Sequence, residues 1–186
     1  MKSFVIIIAL LGLIAVGTSS YFAPASASGS DPIYMKINGI DGDVTAVGHE
    51  KEIQLNSFQF GASNSGTSSS GGGGGAGKTS ISDIVFTKIM DKSSPLLFKN
   101  TVTGAHIPKV DIYFVNNGKN TQTYAHYVLE DVLISSYSVS SGGDIPSESL
   151  SLNFAKILFE FSPTKPDGTL DTPISVTWDI QPNKVT

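Results

Sequence analysis

Eight consecutive residues, Gly72 to Thr79, read GGGGAGKT and fit the phosphate-loop pattern G-x-x-x-x-G-K-[ST]. In that motif backbone N–H groups cradle a phosphate, the lysine (here Lys78) reaches the outer phosphates and the hydroxyl (Thr79) meets a magnesium ion. The chemistry needs a buried strand before the loop and a helix starting at the Lys-Thr pair, so that the helix N-terminus faces the anion. Neither flank qualifies. Residues 62–71 are only Ala, Ser, Asn, Gly and Thr, while Ile84, Phe86, Lys88 and Met90 alternate with Asp83, Val85, Thr87 and Ile89 at the period of a strand. A glycine run supplies most of the match, so no nucleotide is expected.

Other reactive residue types are scattered. His49, His106 and His126, with Asp43, Glu50 or Glu130, are the only metal-ligand candidates, and none stands at an H-x-H or H-E-x-x-H spacing. Glu130 and Asp131 are neighbours, which in a strand sends them to opposite faces and denies them the work of a facing acid pair. Asp41-Gly42-Asp43 lacks the later ligands of a calcium loop and reads as a turn. No Gly-x-Ser-x-Gly elbow occurs among the many serines. Tyr124, Tyr127, Tyr137 and Trp178 fit core or interface positions on alternating strands better than a sugar-stacking face. No enzyme, cofactor or metal is expected.

The chain has no Arg and no Cys. Without Arg there is neither a guanine-reading side chain nor a bidentate anion clamp, which argues against nucleic acid. Residues 1–27 read as a secretory signal: Lys2, an apolar run of 13 residues from Phe4 to Val16, and a small-x-small site at Ala25-Ser26-Ala27. That run is short for a membrane span, which needs about 20 residues, so an uncleaved anchor is the lesser alternative. Cleavage leaves residues 28–186 with a net charge of about −5, to be stabilised without disulfides.

The elements that must position any site are mostly strands. Period-two alternation marks Ile33–Asn38, Glu52–Gly61, Ser80–Asp91, Lys109–Asn116, Thr121–Glu130, Val132–Ser140, Ser149–Ser162 and Ile174–Ile180, separated by Asn-Gly, Asp-Gly and Gly-Gly turns. The apolar set changes face near Ser57 and near Ala155, which predicts either bulges there or long strands that each span two environments, and in both cases a barrel rather than a flat sheet. One helix is expected from SPLLFKNTVTG, with Ser94 as cap, Pro95 at the first position and Gly104 at the exit. Its Leu97, Thr101 and either Phe98 or Val102 form a stripe suited to closing a barrel end. Residues 62–80 carry no large apolar side chain and are expected to be a flexible Gly/Ser-rich loop.

In order along the chain, MKINGIDGD, GHEKEIQLNSFQFGAS, SISDIVFTKIMDKSSPLLFKNTVTGAHIP and YVLEDVLISSYSVSSGGDIPSESLSLNFAKILFEFSP make Lys36–Pro163 similar to the Hcp family, the haemolysin-coregulated tube proteins of type VI secretion. The resemblance implies a mostly all-β fold, a β-barrel of two antiparallel sheets with one short helix. It also implies no catalytic residue, self-assembly into hexameric rings or tubes, and small protein cargo or effectors as partners. By the same resemblance the glycine-rich loop, with Gly72, Gly73, Gly74, Gly75, Gly77 and Lys78, contacts a neighbouring subunit or ring. The secretory signal departs from the family, whose members load from the cytoplasm, so the expected product is an exported Hcp-like protein without an appended effector domain. A monomeric secreted β-barrel binding module is the alternative, because loops on rigid β scaffolds carry recognition.

Overall fold

The computed structural model describes residues 31–65, 79–117, 121–180 and 184–185. Eleven strands and one helix follow in the order β1 (Ile33–Ile37), β2 (Ile53–Leu55), β3 (Ser57–Gln59), β4 (Ala62–Asn64), β5 (Thr79–Ile81), β6 (Ile84–Ile89), α1 (Ser94–Thr103), β7 (Ile107–Asn116), β8 (Gln122–Ser140), β9 (Ser147–Phe161), β10 (Ile174–Asp179) and β11 (Lys184–Val185). All pairings are antiparallel. Nine strands form one sheet that curls into a nearly closed barrel, and β4 and β5 form a second, two-stranded sheet.

The barrel closes because one short stretch changes partner. Ile53 and Leu55 in β2 pair with β1, then Asn56 donates its N–H to the Thr87 carbonyl and β3 pairs with β6. The face change expected near Ser57 is this handover, and it splits the single strand expected over Glu52–Gly61. Isoleucine and leucine before it, and Phe58 after it, all turn toward the core.

The second face change near Ala155 is no bulge but the alternative, a long strand spanning two environments. Val132 pairs with Phe154 and Glu130 with Lys156, so no residue is inserted on either strand. Both strands change phase together: Leu129 and Val132 are buried in β8, as are Phe154 and Ile157 in β9. Asp131 makes this possible by adopting φ 51°, a left-handed conformation that Asp tolerates better than most residues. β8 therefore runs unbroken through the boundary expected between Glu130 and Val132. A register shift does occur between Ile134 and Ser136, and it brings Tyr137 to the inner side.

Helix α1 begins one residue earlier than expected. Ser93 is its N-cap, Ser94 is the first helical residue, and Gly104 ends it at φ 63° with its N–H on the Thr101 carbonyl. Leu97 is the helix's buried apolar contribution, whereas Phe98 and Val102 face outward at 51% and 64% exposure. The stripe that closes the barrel is thus narrower than the sequence suggests.

Two further corrections concern connections. Asp41-Gly42-Asp43 forms no turn, with only a bend at Asp43: Gly42 and Val44 donate to the carbonyls of Lys51 and Glu52, and a Cβ at Gly42 would stand 2.2 Å from the Glu52 oxygen. The turn sits at Asn38-Gly39, where Gly39 has φ 83°. At the base of the expected loop over 62–80, Ala62–Asn64 and Thr79–Ile81 pair as a hairpin.

Candidate functional site

Gly72, Gly73, Gly74, Gly75, Gly77 and Lys78 lie outside the described residues. Their flanks are described, and Thr79 opens a strand where a phosphate loop needs a helix. The histidines stay apart from one another's carboxylates. His49 Nδ1 lies 2.7 Å from Glu52, His106 Nδ1 lies 2.6 Å from Asp131, and His126 is held between Asp111 at 3.0 Å and Glu160 at 3.3 Å. Asp43 faces Lys92, Glu50 accepts the Gly48 N–H and Glu130 faces Lys156, so none of the three joins a histidine. Among the described residues no cluster of His, Asp and Glu has the makeup of a metal site.

The charged residues that do converge carry no catalytic or metal-ligand motif spacing in the sequence. Lys88 of β6 and Glu148 of β9 are fully buried, and their side chains meet at 2.8 Å. The Lys88 ammonium spends its three donors on Glu148, on Asp91 at 2.9 Å and on Ser94 Oγ at 3.0 Å. Glu148 also accepts from Ser94 Oγ at 2.9 Å and from the Tyr137 hydroxyl at 2.7 Å. Asp91 accepts from the N–H and the hydroxyl of Ser93, which fixes the entry to α1. Burial works to raise the Asp91 carboxyl, but the hydrogen bonds from Ser93 and Lys88 and the lysine charge outweigh it and hold the group below its usual range. Burial and the Glu148 carboxylate push the Tyr137 phenol up to about 12.

The Lys88 ammonium and both Glu148 oxygens are each engaged by another member of this knot. Its role is to bolt the start of α1 to β6, β8 and β9. A signal for it does exist in the sequence: Lys88 is in phase with the core residues Ile84 and Phe86, and Glu148 with Leu150 and Leu152. A charge on the apolar side of two paired strands identifies a buried partner pair.

Two surfaces stand out by their composition. On the outside of β3, β6, β9 and β8, the register aligns Ser57, Thr87, Ser149 and Ser138 in one row across four strands. Gln59, Val85, Ser151 and Ser136 form the next row. Ser57 and Thr87 hydroxyls meet at 2.6 Å and those of Ser136 and Ser151 at 2.8 Å, giving a hydroxyl-lined face without a charged side chain in either row.

The other surface is an apolar slot of about 490 Å³ between the β4–β5 hairpin and the sheet of β9 and β10. Phe60 and Ile81 wall one side, and Ile157, Phe159, Val176 and Trp178 the other. Tyr127, Tyr137 and Trp178 pack against the core, as expected for alternating strands, and Tyr127 stacks on Phe159 with ring centroids 4.5 Å apart.

Residues 34–161 match the family model described as "Type VI secretion system effector, Hcp". The chain is 36% identical over 155 residues to Protein hcp1 of Pseudomonas aeruginosa, covering 81% of this chain and 96% of that protein. Among solved structures it is similar to one described as a type six secretion system protein, with a TM-score of 0.80 at 28% identity over 84% of this chain and all of that one. It is also similar to Hcp1 from Salmonella typhimurium, with a TM-score of 0.70 at 27% identity over 84% of this chain and 99% of the other.

Proposed function

The chain belongs to the Hcp family of type VI secretion proteins, and from that premise we propose that it is an exported, non-enzymatic subunit that assembles into hexameric rings able to stack as tubes. The supporting observation is where the motif residues sit. Lys88, Asp91, Ser94 and Glu148, which carry the resemblance in the sequence, are spent on one buried knot that builds the barrel. They secure a rigid wall unit rather than a reactive centre.

In this reading the hydroxyl-lined rows of Ser57, Thr87, Ser149 and Ser138 and of Gln59, Val85, Ser151 and Ser136 face the lumen. A wall that must release its cargo favours short, neutral hydrogen-bonding groups, whose net contribution is about 1 kcal/mol each, over desolvated charges. A small effector protein is the cargo, and residues 1–27 are removed on export. Gly72–Gly75, Gly77 and Lys78 belong to the connection that touches the neighbouring ring.

Deleting residues 66–77 tests the division of labour. Rings that still form but no longer stack, from a protein with an unchanged melting profile, are the expected result. Tubes of normal length from the deleted protein would remove the loop from the contact. Loss of ligand capture in an unchanged oligomer would favour a binding module instead.

A further inference from the structure

The apolar slot between the β4–β5 hairpin and β9–β10 is not isolated. It continues onto Phe161, Ile174 and Val176, the last two exposed at 70% and 48%, which neighbour it through the pairs Ile174–Phe161 and Val176–Phe159. A contiguous apolar surface of this kind on a secreted protein marks a contact site. The chain's own neighbouring segments cannot cover it with apolar side chains. Residues 66–78 are Gly, Ser, Thr, Ala and one Lys, residues 118–120 are Gly-Lys-Asn, and residues 181–183 are Gln-Pro-Asn. The remaining apolar stretch outside the described residues, Phe4–Val16, leaves with the leader in the reading above. The cover must then come from another chain.

A matching convex surface exists on the same molecule. Pro95, Phe98 and Val102 are exposed at i, i+3 and i+7 and form one face of α1. Phe98 sits beside Tyr137 with ring centroids 5.5 Å apart, whereas the slot wall Phe159 stacks on Tyr127. Tyr127 and Tyr137 lie on the same strand, ten residues apart, so the two patches are separated by up to ~33 Å at about 3.3 Å per residue. One patch is concave, the other convex, and they stand at opposite ends of β8. Such surfaces cannot satisfy each other within one molecule; between copies they can meet head-to-tail, a contact that closes into a ring or continues as a fibre, whereas a reciprocal two-fold pairing would stop at a dimer.

We propose that the Phe60–Trp178 slot receives the Pro95–Phe98–Val102 face of a second copy of this chain. The contact rests on the self-assembly reading and names which surfaces meet. It makes every copy both donor and acceptor, so a closed ring leaves no slot free.

The absence of cysteine allows a direct test on the protein lacking residues 1–27. Phe98→Cys and Val176→Cys are made separately, mixed in equal amounts and oxidised, with sedimentation run on the same samples. The expected result is a heterodisulfide dimer between the two variants, little homodimer of either, and a ladder of multimers from the double variant. Both sites are exposed, so the fold tolerates the changes. Intact oligomers without a heterodisulfide, or efficient Val176→Cys homodimers, would overturn the slot–helix contact while leaving self-assembly in place. A monomer with no cross-link would overturn both.

Discussion

Lys88 and Glu148 see no solvent, and each is the other's reason for being tolerated inside the barrel. Removing one partner strands the other charge, so Lys88→Met is expected to cost about 3–5 kcal/mol, read as a lower urea midpoint. The double variant Lys88→Met/Glu148→Leu is expected to recover part of that loss, because an apolar pair of similar volume needs no compensation. Tyr137 adds a pH dependence. Its phenol is raised from 10.0 to about 12, as is that of Tyr113 through burial and the nearby Asp111 and Glu52 carboxylates. The folded protein therefore keeps protons that the unfolded chain releases, and stability that is complete below pH 10 is lost as pH rises toward 12. Urea midpoints between pH 9 and about 12 check this, and Tyr137→Phe is expected to flatten the decline. The knot was legible only in part. Period-two phase places Lys88 and Glu148 inside, but their pairing spans 60 positions and depends on which strands meet.

At the scale of elements, the long β8–β9 hairpin carries the architecture. β9 pairs with β6 through Ser147–Leu152 and with β10 through Lys156–Phe161, and the common phase change lies between these halves. The hinge of that change is Asp131 at φ 51°. Asp131→Gly is expected to hold or raise the melting temperature, since glycine adopts this conformation freely. Asp131→Val is expected to lower stability by about 1–2 kcal/mol, the cost of a left-handed β-branched residue. Loss of the His106 contact contributes little to either outcome, because both side chains are well exposed. Thermal melts of the two variants check the order.

Apolar alternation revealed the existence of nearly every strand here, and Gly104 revealed the end of the helix. Partner changes left weaker traces. Glu52–Gly61 looks continuous because both halves are apolar on alternate sites, and only the sheet's closure explains the break at Asn56. Local pattern places a boundary at Asp131 because it does not distinguish a strand's end from a left-handed residue inside it.

For the whole molecule, the decisive sequence feature was a misleading one. GGGGAGKT has the letters of a nucleotide site, yet a strand follows it and a hairpin frames it. The molecule presents outward a hydroxyl-lined face, an apolar slot and an apolar helix face at the other end of β8, which the proposed assembly uses as its contact surfaces. The measurement closest to the central claim is sedimentation velocity on residues 28–186 from micromolar to several hundred micromolar. A discrete species of hexamer mass, with larger stacks appearing as concentration rises, is the expected result. A single monomeric boundary across the whole range would contradict it.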